Sequence, residues 1–171
     1  KHMSLFSGKT IVIDTSIYLY KFIGCNALIE NMYSMITTFK YYNITPIFIF
    51  DGKPPVEKQK LLKQRYIDKQ AAETKYNILK LKLETVEPID VNELKIEMDK
   101  LRMRFIRIKR SDIDMVKSLM DSCGVQHYDA PGEADQLCAK MVINKQAWAC
   151  MSDDMDMFVY GCTRVMRHIS L

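Results

Sequence analysis

The chain has 171 residues, of which 48% are apolar, so it can form one domain with a sizeable core and is neither a large multidomain protein nor a disordered one. It has no run of 18 apolar residues and a polar amino-terminal stretch, which predicts neither a membrane-spanning helix nor a signal peptide. The net charge is +4, but the segment from Lys53 to Arg110 holds 16 basic and 9 acidic residues. The remainder holds 9 basic and 12 acidic residues, so a basic segment is joined to an acidic body.

Cysteine and histidine usage limits the kinds of metal site and the compartment. The five cysteines form no CxxC pair, and the three histidines are widely spaced along the chain. This pattern predicts reduced thiols in an intracellular protein, nuclear or cytoplasmic depending on its source. It makes a histidine-based zinc site improbable, so any metal ion would be held by oxygen atoms.

The hydrophobic pattern predicts strands that alternate with helices along the chain. The predicted strands are Thr10–Ile13, Pro46–Phe50, Val125–Tyr128, Ala147–Met151 and Arg164–His168. The predicted helices run from Ser16 to about Phe22, Leu28 to Tyr42, Val56 to about Glu84, Val91 to about Lys109, Asp112 to Cys123 and Pro131 to Ile143. The last of these would carry its proline in the first turn. The fold class that follows is α/β, with a mainly parallel central sheet flanked by helices.

Acidic side chains follow four successive predicted strands, at the point where each strand ends. They are Asp14, Asp51, Glu133, Asp135, Asp154 and Asp156. Because the carboxyl ends of parallel strands meet at one edge of a sheet, we expect these carboxylates to converge there. Their mutual repulsion would be relieved by hard divalent cations, above all Mg²⁺. Paired metal ions on carboxylates are one solution to phosphodiester hydrolysis.

Each acidic position also has a plain structural explanation. Asp14 could cap the following helix, and Asp51 with Gly52 could form an ordinary turn. Glu133 and Asp135 could favour a helix dipole, and the acids from 153 to 156 could lie in a solvated loop. The recurrence at four strand ends, rather than any single acid, favours a metal site.

Four motifs in this order resemble those of the flap endonucleases, within the structure-specific 5′-nuclease superfamily that has a PIN-like core. The motifs are IVIDTS at 11–16, FIFDGKPP at 48–55, YDAPGEAD at 128–135 and MSDDMD at 151–156, and VMRHIS at 165–170 is similar to the same family. The resemblance covers nearly the whole chain. It implies a single nuclease core domain over residues 1–171 with a basic helical arch inserted at about 53–110.

The resemblance implies a DNA nuclease, a 5′-flap endonuclease and 5′→3′ exonuclease of replication, repair or recombination. Two Mg²⁺ ions would assist it, and Mn²⁺ could substitute. Asp14, Asp51, Glu133, Asp135, Asp154 and Asp156 would be metal ligands, directly or through water. Position 135 is usually glutamate in the family, and Asp153 is expected outside the ligand set.

The same resemblance gives roles to basic and aromatic side chains. Lys58 and Arg65, seven residues apart on the arch helix, would contact the scissile phosphate and stabilise its developing charge. Lys60 and Lys63 would make further phosphate contacts. Tyr20 matches a tyrosine that stacks on a base beside the cut, although a core position for this ring is an equally good explanation.

Two other functions stay open at this point. The chain could be a catalytically silent PIN-like module that binds nucleic acid or a partner, or a PIN-type RNase. We expect it to be a monomeric piece of a longer protein that acts on branched or flapped DNA. Sequence beyond Leu171 would supply a seventh carboxylate, a duplex-binding element and a segment for a sliding clamp, and the piece alone could be weakly active.

Overall fold

The computed structural model describes residues 2–83 and 91–167, without the side chain of Val91. The chain forms two compact units. Unit 1 combines Lys1–Pro55 with Ile108–Leu171, and unit 2 comprises Val56–Arg107. Unit 2 is therefore inserted in unit 1 at the level of the sequence.

Unit 1 is built on a five-stranded sheet in which every neighbouring pair is parallel. The strands are β1 (Thr10–Asp14), β2 (Thr45–Phe50), β3 (Gln126–Asp129), β4 (Ala149–Met151) and β5 (Val165–Met166), in the spatial order β3-β2-β1-β4-β5. The predicted parallel sheet is confirmed. The order places β1 in the centre, where both of its faces are covered.

Seven α-helices connect or extend these strands in the described part of the chain. They are α1 (Thr15–Gly24), α2 (Leu28–Tyr41), α3 (Gln59–Leu83), α4 (Val91–Arg104), α5 (Arg110–Ser122), α6 (Ala134–Ile143) and α7 (Asp156–Val159). Two 3₁₀ turns, Met3–Phe6 and Val56–Lys58, accompany them. Parallel strands require such crossover connections, which explains the regular alternation.

The alternation of side chains along β1 separates the core of unit 1 into two layers. Ile11 and Ile13 pack with the buried residues of α1, α2 and α5 on one face of the sheet. Val12 packs on the other face with buried residues of α6 and α7. Successive residues of a strand point to opposite faces, so a strand covered on both sides must be apolar throughout.

Unit 2 has a small core of its own between α3 and α4. Ala72, Leu79, Met98 and Leu101 are its buried side chains. Lys75 Nζ lies 2.6 Å from Glu97 Oε1 and links the two helices at their exposed side. Most of the remaining surface of α3 is exposed, in agreement with its charged sequence.

Several sequence-based boundaries were wrong. Helix α6 begins at Ala134, so Pro131 precedes the helix instead of occupying its first turn. Helix α4 ends at Arg104, because Phe105 turns to pack on Tyr76 and the Ile106 carbonyl accepts a hydrogen bond from Lys69. Helix α7 and the turn at Met3–Phe6 were not predicted. The predicted end of the long helix at Glu84, and His168 of the last strand, lie outside the described residues.

All five cysteines are free thiols, as expected. No helix among the described residues is long and apolar enough to cross a membrane.

Candidate active site

Asp14 ends the central strand and is buried, with 5% of its surface exposed. Its Oδ1 accepts a hydrogen bond from the Ser16 backbone N–H at 3.1 Å. Asp14 therefore caps α1, the structural role that the sequence also allowed. Its Oδ2 accepts one from the Ser152 hydroxyl at 3.3 Å. Burial, and then the charges of Asp135 and Asp51, raise the pKa of Asp14 to about 8. The capping hydrogen bond from Ser16 lowers the pKa of Asp14, so helix capping alone does not explain the raised value.

Asp51 follows β2 and is held at both carboxylate oxygens. Oδ2 accepts a hydrogen bond from the Ser16 hydroxyl at 2.5 Å, and Oδ1 accepts one from the Ala134 N–H at 2.8 Å. Because Ala134 is the first residue of α6, Asp51 supplies the acceptor that this helix terminus needs. This explains why α6 begins at Ala134.

Gly52 fixes the loop after β2 against the loop before α6. Its N–H donates to the Gly132 carbonyl at 2.7 Å, and a Cβ at this position would overlap the Ala130 carbonyl oxygen. Only glycine permits so close an approach of two backbones. The contact brings Asp51 to the amino end of α6, where two further acids lie.

Glu133 and Asp135 flank the start of α6. Glu133 is the N-cap residue, and Asp135 lies in the first turn, where its charge acts on the Asp14 carboxyl. Burial, and then the charge of Asp154, raise the pKa of Asp135 to about 6, with Asp51 and Glu133 adding to the effect. Asp135 Oδ1 is buried and has no hydrogen-bond partner. A buried carboxylate oxygen without a hydrogen-bond donor is able to accept a bond from a cation.

Asp154 and Asp156 follow β4. The Ser152 hydroxyl, which donates to Asp14, also accepts a hydrogen bond from the Asp154 N–H at 3.1 Å. Asp154 Oδ1 accepts the Asp156 N–H at 2.9 Å. Asp156 begins α7 and is exposed. The carboxylates whose charges act on one another are thus Asp14, Asp51, Glu133, Asp135 and Asp154.

No three acidic, histidine or cysteine side chains among the described residues are arranged as a preformed metal site. The donor set nevertheless fits a hard divalent cation, because it consists of carboxylate oxygens and includes the unpartnered Asp135 Oδ1.

The predicted phosphate contacts lie in unit 2. Lys58 ends the 3₁₀ turn Val56–Lys58, whereas Lys60, Lys63 and Arg65 lie on α3 and are exposed. The 3₁₀ turn leads directly into α3, so Lys58 and Arg65 lie on consecutive parts of one helical segment. Tyr20 is 43% exposed on α1, so the alternative of a core ring no longer holds.

Three residues of this site were missed by sequence reasoning. Ser16 joins the Asp14 and Asp51 carboxylates, and Ser152 joins the Asp14 carboxylate to the Asp154 backbone. Gly52 brings two loops together. The only sequence feature that could have indicated these three residues is their position inside the motifs that carry the acids. A serine or glycine beside an acid is so common in turns that the sequence alone gives it no role.

Two family descriptions match the chain and together cover more than two thirds of it. Residues 1–73 match the XPG N-terminal domain, and residues 124–171 match the XPG I-region. The chain belongs to the flap endonuclease family. The two matches contain all six predicted metal ligands.

Individual relatives agree with this assignment. Flap endonuclease 1 of Leishmania infantum is 31% identical over 189 residues, which are 97% of this chain and 44% of the relative. Flap endonuclease 1 of Methanococcus aeolicus is 32% identical over 181 residues, 95% of this chain and 52% of the relative. The chain thus spans about half the length of the curated relatives it matches.

Solved structures show the same fold. The catalytic core of Rad2 in complex with a DNA substrate has a TM-score of 0.69 at 20% identity, covering 100% of this chain and 46% of that one. Flap endonuclease-1 from Methanococcus jannaschii has a TM-score of 0.61 at 25% identity, covering 98% and 55%.

Proposed function

We propose that this chain is the nuclease core of a metal-dependent, structure-specific DNA nuclease. It would hydrolyse phosphodiesters near single- to double-strand junctions, as a 5′-flap endonuclease and 5′→3′ exonuclease. The observation that carries the proposal is the set of mutually repelling carboxylates at one edge of the parallel sheet, with the buried Asp14 among them. Family membership and the resemblance to a Rad2 core that holds a DNA substrate support it.

The metal-ligand proposal comprises six carboxylates: Asp14, Asp51, Glu133, Asp135, Asp154 and Asp156. Bound Mg²⁺, or Mn²⁺ in its place, would supply activation of the attacking water and stabilisation of the leaving oxygen. The raised pKa values of Asp14 and Asp135 support the assignment, since the surrounding protein does not compensate the negative charge of either carboxylate. The hydrogen bonds that Asp14 accepts from the Ser16 N–H and the Ser152 hydroxyl limit how far this carboxylate can move.

Residues outside the carboxylate cluster would bind the DNA. Lys58 and Arg65 would stabilise the charge that develops on the scissile phosphate, and Lys60 and Lys63 would contact neighbouring phosphates. Tyr20 presents an exposed ring on which a base can stack. A sliding clamp bound through further sequence and a monomeric state belong to the same proposal.

The test is cleavage of a labelled double-flap DNA by this chain, with Mg²⁺ and with EDTA. We expect a product with Mg²⁺ only, lost in Asp154→Ala and retained in Glu30→Ala, which removes an exposed acid of α2. Unchanged cutting by Asp154→Ala would refute the site. Preferential cutting of an RNA flap would identify an RNase instead.

A second measurement addresses the metal ions without catalysis. Titration of Mn²⁺ monitored by electron paramagnetic resonance should show binding that is weakened in Asp14→Asn and unchanged in Glu30→Ala. Tight binding of flap DNA without cutting and without Mn²⁺ binding would instead identify a catalytically silent module.

A further inference from the structure

A concave site lies at the end of the sheet opposite the carboxylates. Its volume is about 380 Å³, within the range of small-ligand sites. Thr10 at the start of β1, Trp148 just before β4 and Arg164 just before β5 line it. Since all strands are parallel, these amino ends are separated from the acidic edge by the length of β1, about 15 Å.

The lining is cationic and offers several hydrogen-bond donors. Lys9, Lys145 and Arg164 line the cavity, and none of its lining residues is acidic. Within the described residues, the side chains of Lys9, Lys145, Thr10 and Gln146 have no hydrogen-bond or ion-pair partner. Like charges around a concavity without carboxylates create a positive potential that attracts anions.

Arg164 is held in place before any ligand arrives. Its guanidinium carbon lies 5.2 Å from the centroid of the Trp148 ring, and its Nη1 donates to the Trp148 carbonyl at 3.3 Å. Phe6 packs on the same indole, with centroids 5.6 Å apart. Because Arg164 and Phe6 already contact this ring, base stacking is a poor account of the site and charge recognition is a better one.

The position of Lys145 is the most informative feature. Each of the five α-helices that the structure describes in unit 1 is followed, after its C-cap residue, by a residue with positive φ. Four of these residues are the usual asparagine or glycine: Asn26, Asn43, Gly124 and Gly161. The fifth, after α6, is Lys145 with a φ of 61°.

The backbone at Lys145 satisfies the end of α6 without help from the side chain. The Lys145 N–H donates to the Val142 carbonyl and the Gln146 N–H to the Met141 carbonyl, the pair of bonds of a Schellman motif. Glycine makes the same bonds without steric cost. A lysine at this position therefore carries a conformational penalty, and its side chain lines the cationic cavity.

We propose that this cavity, which we call the basic pocket, binds an oligophosphate group. Two lysines and one anchored arginine match the multiple charged oxygens of a di- or triphosphate. The source could be inorganic oligophosphate or the triphosphate of a nucleotide, which present the same chemistry. The pocket is distinct from the carboxylate cluster and does not depend on the proposed nuclease activity.

Trp148 is the single tryptophan of the chain, so intrinsic fluorescence reports on the pocket. Tripolyphosphate and ATP are titrated separately in EDTA, which keeps divalent ions from bridging phosphate to the acidic edge. If the triphosphate alone is recognised, we expect a saturable change in Trp148 fluorescence with both tripolyphosphate and ATP. If the nucleoside is also needed, we expect the change with ATP only. No saturable change with either compound would overturn the proposal.

Three variants separate binding from folding. Lys9→Ala and Lys145→Gly should each weaken binding about tenfold, the effect of one charge-assisted hydrogen bond. Lys140→Ala, an exposed lysine of α6 outside the pocket, should leave it unchanged. Equal weakening by Lys140→Ala would show nonspecific charge attraction and refute the pocket.

Lys145→Gly gives a second readout because it removes the conformational penalty at this position. Without ligand, its Tm should be higher than that of the wild-type chain, while its oligophosphate affinity is lower. A lower Tm would show that Lys145 stabilises the fold and would contradict the inference. Binding of single-stranded DNA but not of tripolyphosphate would assign the surface to nucleic acid and overturn it as well.

Discussion

Asp14 combines two roles that the sequence presented as alternatives. It caps α1 through the Ser16 N–H, and it also lies inside a cluster of acids, where the charges of Asp135 and Asp51 act on it. Its place on the central strand produces both, because a residue at the end of β1 begins the next helix and faces the neighbouring strand exits. A helix cap and a metal ligand are thus compatible at this position.

The raised pKa of Asp14 predicts how stability depends on pH in the metal-free chain. The carboxyl titrates near 3.8 when unfolded and near 8 when folded, so the folded state holds the extra proton between these values. The free energy of unfolding should therefore fall as the pH rises from about 4 to about 8. Thermal denaturation in EDTA should show Asp14→Asn gaining stability over the wild-type chain across this range.

An exposed acid serves as the control for this titration. Asp99 lies on α4 in unit 2, and Asp99→Asn should show no such gain. A constant difference in Tm between Asp14→Asn and the wild-type chain at every pH would contradict the burial of a charged carboxyl.

Ser152, inside the acidic motif at 151–156, is a residue that positions the neighbouring acids. It is buried, with 1% of its surface exposed, and its hydroxyl joins Asp14 to the Asp154 backbone. Ser152→Ala should lower the cutting rate or metal affinity about 10- to 100-fold, as loss of an outer hydrogen bond does at metal sites. The Mg²⁺ concentration for half-maximal cutting measures this directly.

Ser122→Ala is the matched control, because its hydroxyl bonds only the Ser118 carbonyl on the exposed side of α5 among the described contacts. It should leave the Mg²⁺ requirement unchanged. If Ser152→Ala behaves like this control, the bridging role of the hydroxyl is wrong.

At the scale of elements, the loops after β2 and before α6 determine where the acids lie. Gly52 allows their backbones to approach, and Asp51 then accepts the first N–H of α6. Gly52→Ala should destabilise the fold by about 1 to 3 kcal/mol, because the added methyl overlaps backbone rather than a flexible side chain. Urea denaturation measures this loss, and cutting should fall with it as Asp51 is displaced.

Gly132 in the facing loop provides the comparison. A Cβ at Gly132 meets no atom within 4 Å, so Gly132→Ala should change stability by no more than about 0.5 kcal/mol. Similar effects of the two substitutions would show that loop flexibility, and not the close approach, governs stability here.

The elements themselves were largely predictable from the sequence. The apolar runs of β1 and β2 end at acids, and parallel pairing brings such ends together whatever the strand order. The approach at Gly52 and the αL position of Lys145 were not predictable, since both depend on backbone geometry that hydrophobic periodicity does not encode. The electrostatic interaction between Asp14 and Asp135 depends on distances between separate strand exits, which motif spacing does not give either.

At the scale of the whole molecule, opposite charges occupy different parts of the chain. The sequence from Lys53 to Arg110 carries a net charge of +7, and the rest carries −3. Most of the basic side chains on α3 are exposed, whereas Asp14 of the acidic cluster is buried. Divalent ions at the cluster would shift the balance further toward positive charge, so a net charge of +4 understates the attraction for DNA.

This distribution predicts DNA binding that is strongly salt-dependent and originates in unit 2. Lys60 and Lys63 are exposed on α3, so each contributes phosphate contacts that release counterions. Lys60→Ala and Lys63→Ala should each reduce the slope of log K against log salt concentration by about one. Fluorescence anisotropy of labelled flap DNA in EDTA measures the slope without cutting, with Lys140→Ala of unit 1 as the control that should keep it. A reduced slope for Lys140→Ala with unchanged slopes for the α3 variants would place the phosphate contacts on unit 1 instead.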